Sequence, residues 1–118
     1  MVTPGQGDIF WVRFGAAEDS SPAGKRPAIV IQNDLLNKSS IRTTVVALLT
    51  SNTKLSRVPW NVLLNRGAGN LPKTSVVVVT QMATVDKGRL LEKIGTIGKD
   101  RIEKIIEGCQ KVISLSVL

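Results

Sequence analysis

Residues 23–34 read "AGKRPAIVIQND", and the reading of this stretch decides the fold. From Ala28 to Ile31 the chain is apolar and rich in β-branched residues, a composition that suits a pleated surface. Pro27 has no N–H to give to a ladder, so it belongs at a strand's first position or on an edge. Segment 26–32 is therefore a predicted strand that buries Ala28, Ile29, Val30 and Ile31. It opens on Arg26, whose guanidinium never loses its charge. Strand formation asks for no such group.

On the N-terminal side, "GDIFWVRF" (7–14) is strand-like, and "GAAEDSSPAG" (15–24) is a loop punctuated by Gly and Pro. On the C-terminal side, "NDLLNKSS" (33–40) makes a connection. "TTVVALLTS" (43–51) and "WNVLLN" (60–65) are predicted strands, separated by a basic segment; "RGAGNLPK" (66–73) is a turn or loop. "SVVVVTQM" (75–82) carries four consecutive valines, the pattern of a strand covered on both faces, and "RLLEKIGTI" (89–97) is one more strand. The period then changes. Ile102, Ile105, Ile106, Cys109, Val112 and Ile113 form a single helical stripe. Asp100/Lys104 and Glu107/Lys111 are spaced as i,i+4 ion pairs on the opposite face. A helix over Lys99 to Ser114 follows, with Cys109 an inert thiol on its buried side. The expected fold is mainly β with a C-terminal α-helix: a small, curled antiparallel sheet or barrel in one domain, 1–118.

A chain of 118 residues is long enough to bury one core without disulfides or metals. It has one cysteine, so neither an internal disulfide nor a cysteine cage for zinc can be built. It has no histidine and no tyrosine. That excludes paired-histidine RNA cleavage, Ser-His and Cys-His nucleophiles and zinc-hydrolase motifs. "GAGN" (67–70) lacks the Gly-Lys-Ser/Thr ending of a phosphate loop. Asp8, Glu18, Asp19, Asp34 and Asp86 are dispersed along the chain, a spacing that gives no sign of a two-metal site. No signal peptide and no membrane-length apolar run is readable, so a soluble, cytoplasmic protein with no membrane partner is expected.

Charge is more informative. The net value is +7, and six of those charges sit between Leu35 and Val85, where Lys38, Arg42, Lys54, Arg57, Arg66 and Lys73 occur without one acidic residue. A segregated positive field favours a polyanionic partner. Arginine, lysine and hydroxyls are also the groups that suit one reaction. RNA carries its own nucleophile, the 2′-hydroxyl, so an enzyme can act by positioning the backbone and stabilising charge on the phosphorus oxygens. Arginine's planar fork matches those oxygens bidentately.

Taken in order, "GDIFWVRF", "AGKRPAIVIQND", "VVALLTS", "NVLL", "LPKTSVVVVTQMATVDKGRL" and the closing amphipathic helix resemble the MazF/PemK/Kid family of toxin endoribonucleases, from about Gly7 to Ser114. The resemblance implies an SH3-like small barrel with a C-terminal helix, assembled as a homodimer. It implies cleavage of single-stranded RNA at short sequences with no metal or other cofactor, leaving a 2′,3′-cyclic phosphate and a 5′-hydroxyl. It also implies a cognate MazE-like antitoxin whose acidic, disordered tail covers the RNA groove.

By position, Arg26 matches the family's catalytic arginine and Thr50 its catalytic threonine, with Ser51 adjacent. The rival role for Arg26 is an ion pair with Asp8 or Asp34; for Thr50 it is that of a plain strand-end residue. Ser20 and Ser21 in the 15–24 loop, with Thr80 and Gln81, are candidates for reading bases, and Lys54 and Arg57 for steering phosphates. Trp60 is placed in a core or dimer contact rather than under a base. Two features depart from the family. Ser20-Ser21-Pro22-Ala23-Gly24 lacks the glutamate of the "SEQxG" loop, leaving Glu18 or Asp19 there, and Val78 and Thr80 stand where Kid has arginine and aspartate. Two alternatives share the fold's surface but not the chemistry: a gyrase poison that does not cut, and a plain nucleic-acid-binding barrel.

Overall fold

The computed structural model describes residues 2–15 and 24–116. Strands β1 (Asp8–Arg13), β2 (Lys25–Val30), β3 (Thr43–Thr50), β4 (Val62–Leu64), β5 (Ser75–Asp86) and β6 (Leu90–Thr96) form one sheet in the order β4-β5-β3-β2-β1-β6. Every pairing is antiparallel. Helix α2 (Lys99–Ile113) closes the described chain, with Ser114 as its C-cap. Within the expected connection 33–40 there is a one-turn helix, α1 (Asp34–Asn37), started by the Asn33 side chain, which accepts the Leu36 N–H at 2.9 Å.

Both faces of the sheet are covered, as the apolar runs require. Ile9, Ile29, Ala47, Leu49, Val77 and Val79 pack on one side with Ile105 and Cys109 of α2. Phe10, Val12, Ala28, Val30, Val46, Val85 and Leu90 form a second cluster where the sheet curls on itself. Adjacent residues of β2 thus serve different cores, and all four valines from Val76 to Val79 are buried. The α2 stripe is covered only in part: Ile105 is fully enclosed, whereas Ile113 in the last turn is 73% exposed. Neither predicted helix ion pair closes within 4.0 Å. Exposed pairs of this kind gain little, and Lys111 lies instead over the Trp60 ring, 5.3 Å from its centroid. Trp60 adopts φ 72°, and a Cβ at Gly108 would come within 2.6 Å of its carbonyl oxygen, so α2 lies directly on this turn.

The expected barrel is a half-barrel. β4 and β6 are the two edges and do not pair. The turn Ala68–Asn70 lies against β6 in the gap, where a Cβ at Gly95 would overlap the Gly69 carbonyl. β4 is shorter than the 60–65 reading, and β5 runs beyond residue 82 to Asp86. Its continuity hides a bend. Leu48 pairs with Val78 but Ala47 with Met82, so Val79, Thr80 and Gln81 have no opposite number on β3.

Pro27 sets where two central strands part. The Phe14 N–H bonds to the Gly24 carbonyl across to β1, and the Ile31 N–H to the Val45 carbonyl on β3, each at 2.9 Å. By strand alternation, even residues of β2 hydrogen-bond toward β1 and odd ones toward β3. The donor that Pro27 lacks therefore points at β3, and β2–β3 pairing stops one residue away, at Ala28↔Leu48.

At the opposite end of β3 the polar side chains are knitted together. The Thr44 hydroxyl and the Gln32 amide both donate to Asn37 Oδ1, at 2.8 and 2.9 Å. The Asn37 amide donates to the Gln32 carbonyl, and Lys87 Nζ to the Asn37 carbonyl, each at 2.8 Å.

Candidate active site

Where β2 and β3 separate, a cavity of about 360 Å³ opens at the sheet's end. Trp11, Pro27, Leu49, Leu71 and Ile94 supply apolar wall; Arg26, Thr50, Ser51, Lys73 and Ser75 supply polar groups, and no carboxylate among the described residues lines it. Two registers assemble the set. The β2–β3 ladder ends at Ala28↔Leu48, and Arg26 and Thr50, each two residues further along its strand, both line the opening. Thr50 in turn pairs with Val76 on β5, which sets Lys73, just before β5, beside the end of β3.

The Arg26 guanidinium is exposed and makes no hydrogen bond or ion pair among the described residues. Its two rival partners are committed elsewhere. Asp8 accepts the Gly5 N–H at 2.8 Å and the Thr96 hydroxyl at 2.7 Å, with Lys93 at 3.3 Å, while Asp34 accepts the Gln6 N–H at 2.8 Å. The Thr50 hydroxyl oxygen accepts the Asn52 N–H at 3.2 Å, which orients it and leaves its own proton to give away. Lys73 is exposed, and its carbonyl is held by the Ser75 hydroxyl at 2.9 Å. A fork of five N–H donors, a hydroxyl and an ammonium thus border one apolar-walled opening, a donor set with no acceptor of comparable strength among the described residues. It suits an oxyanion and can stabilise negative charge that develops there.

Of the residues singled out by sequence, Arg26, Thr50 and Ser51 meet at this cavity. Lys54 and Arg57 do not line it; they are exposed on the single turn Thr53–Arg57 that follows, where Asn52 Oδ1 accepts the Lys54 N–H. Thr80 and Gln81 are exposed at the bend of β5, also outside the lining. Ser20 and Ser21 lie outside the described residues. Lys73 and Trp11 were not among the site candidates. Trp11 was visible only as a strand residue, and its register with Pro27 is what brings it to the wall. Lys73 carries a local signal, a cation two residues ahead of a buried strand, but the partner of that strand is not legible in the sequence.

The chain matches the model of the "PemK-like, MazF-like toxin of type II toxin-antitoxin system" family over residues 5–113. It belongs to that toxin family. "Endoribonuclease MazF2" of Mycobacterium bovis is 36% identical over 108 residues, spanning 92% of this chain and 95% of the relative. "Endoribonuclease MazF6" of Mycobacterium tuberculosis matches to the same extent. Among solved structures, an "Endoribonuclease from Mycobacterial species" superposes with TM-score 0.77 at 17% identity, over 100% of this chain and 98% of the other. A MazE–MazF crystal structure from Deinococcus radiodurans gives 0.74 at 20% identity, over 98% and 100%. The half-barrel with its C-terminal helix is therefore the MazF fold, and the cavity at the β2–β3 fork is a feature of a toxin of this family.

Proposed function

We propose that this toxin is a sequence-specific endoribonuclease that cuts single-stranded RNA. The observation that carries the reading is the Arg26 guanidinium, without a partner among the described residues, lining one cavity with the Thr50 hydroxyl. Arg26 grips the two non-bridging oxygens of the scissile phosphate, and Thr50 donates its proton to one of them. Lys73 neutralises the charge that grows on phosphorus. The ribose 2′-oxygen attacks phosphorus, the bond to the 5′-oxygen breaks, and a 2′,3′-cyclic phosphate and a 5′-hydroxyl remain. One proton leaves the 2′-oxygen and one joins the departing 5′-oxygen, so no outside reactant is consumed. Trp11 offers an indole against which a neighbouring base can stack. Lys54 and Arg57 steer the strand toward the opening; Thr80, Gln81 and the serines Ser20 and Ser21 are proposed to contact bases beyond it.

The same cations explain inhibition. A cognate antitoxin with an acidic, disordered tail competes with RNA for a surface whose middle region carries no acid. The toxin acts as a homodimer in the cytoplasm, and the exposed Trp60, Val112 and Ile113 beside the end of α2 offer apolar surface for a second copy. Incubation of a long single-stranded RNA with the protein in EDTA, beside Arg26→Ala, tests the reading. Discrete fragments from the unsubstituted protein alone are expected. RNA left intact by both, with trapped gyrase–DNA complexes, would replace the nuclease with a poison. A 2′-deoxy nucleotide at a mapped cut position must abolish cutting there.

A further inference from the structure

We infer that the pocket at the N-terminal end of β3 is a second phosphate-binding site, built around the Lys87 ammonium. Lys87 is only 6% exposed, yet no carboxylate lies within 4.0 Å of it among the described residues. Of its three donors, one is used among the described residues, on the Asn37 carbonyl at 2.8 Å. A buried cation without a counter-ion is strongly disfavoured. The carboxylate next to it in sequence, Asp86, is turned to the Gly88 N–H at 2.7 Å and to Arg42 Nε at 3.8 Å. No described carboxylate supplies the negative charge that the Lys87 ammonium calls for.

The pocket has the chemistry to receive one. It encloses about 260 Å³, and its lining includes Lys38, Arg42 and Lys87 with the hydroxyl residues Thr3 and Ser40, but no Asp or Glu among the described residues. The Thr3 and Ser40 hydroxyls have no partner among the described residues. Three cations and two free hydroxyls form a set of donors that repels metal ions and amines and suits a tetrahedral oxyanion, a phosphate. The phosphate can come from an RNA backbone or from free inorganic phosphate. RNA is favoured by the site's place in the fold. Thr43 lies at this end of β3 and Thr50 at the other, about 23 Å away at the usual strand rise. A strand held at the Arg26 cavity carries further phosphates to that distance. This RNA clause rests on the nuclease reading above; the phosphate site itself does not.

Titration of the protein with inorganic phosphate, against chloride at matched ionic strength, tests the site by amide NMR. Saturable shifts are expected at residues 37–42 and 86–88, lost in the double variant Lys38→Gln/Arg42→Gln, whose positions are exposed, and in Lys87→Met, which keeps the aliphatic stem. Equal shifts with chloride, no response there, or an unaltered response in both variants would overturn the site and leave Lys87 a capping residue of α1. The RNA clause is read from binding of an RNA made uncleavable by one 2′-deoxy nucleotide. For a long strand, the double variant should lower the slope of log affinity against log salt by about one. For an oligonucleotide spanning only the cut position it should change nothing. An unchanged slope with intact phosphate shifts supports the site and assigns it to free phosphate. Failure of the unsubstituted protein to bind or cut any RNA would sink the nuclease reading while leaving the phosphate titration to decide this one.

Discussion

The two ends of β3 handle their uncharged polar groups on opposite plans. Around Thr44, hydroxyl and amides are turned on one another, and Asn37 serves Thr44, Gln32 and Lys87 together. Around Thr50, the side chains of Arg26, Ser51 and Lys73 have no partner among the described residues, although all three border one cavity. The first arrangement fixes α1 and the end of β5 to the sheet, because a buried polar group left unmade is expensive. The second leaves donors exposed around an open cavity, which the nuclease reading proposed above uses to grip a phosphate. Substitutions at the two ends should therefore separate stability from activity.

The largest effect belongs to Arg26→Ala. Cleavage of a defined RNA should fall by about 10³-fold with the melting temperature unmoved, since removal of one charge-stabilising donor costs on the order of 3–4 kcal/mol in the transition state. Single-turnover rates and a thermal melt on the same preparation check both halves. Thr50→Val should reduce the rate by about 10²-fold, and Thr50→Ser should restore most of it, because the hydroxyl rather than the methyl is proposed to act. At the other end the pattern reverses. Asn37→Ala strips partners from Thr44, Gln32 and Lys87 and should cost about 2–3 kcal/mol, roughly 10 °C in melting temperature, while the folded fraction keeps its rate per molecule. Equal loss of activity and stability in both Arg26→Ala and Asn37→Ala would erase the contrast between the ends.

The smallest effect concerns a residue remote from both. Burial pushes the Cys109 thiol above its ordinary value of 9.0. The unfolded chain therefore ionises first as pH rises, and the thiol's contribution to stability declines from about pH 9 upward. Chemical denaturation between about pH 8 and pH 10 should show the wild type losing ground to Cys109→Ala, with cleavage alike in the two at neutral pH.

What could be read from sequence follows how local the governing force is. The isoleucine stripe of α2, the valine run of β5 and the strand after Pro27 each declare a period within a few residues, and each is present. Arg26 stood out because it broke the local pattern. The bend at Val79–Gln81 was invisible, since a slipped register is a property of two strands and not of one. Thr80 and Gln81 sit at that bend, outside the lining of the cavity. Lys73 and Trp11 reach the cavity only through pairings with β3 and β2. The open half-barrel likewise depended on Gly69 and Gly95 meeting across the gap, a tertiary approach with no local period.

With the fork as the catalytic opening proposed above, Pro27 sets activity and thermal endurance pulling in different directions. A valine there would supply the N–H that the Leu49 side of β3 is waiting for, letting the two strands fasten further toward their ends and shut the fork. A population selected only for heat resistance should drift away from proline at this position, and the survivors should be sturdy, well-folded and harmless.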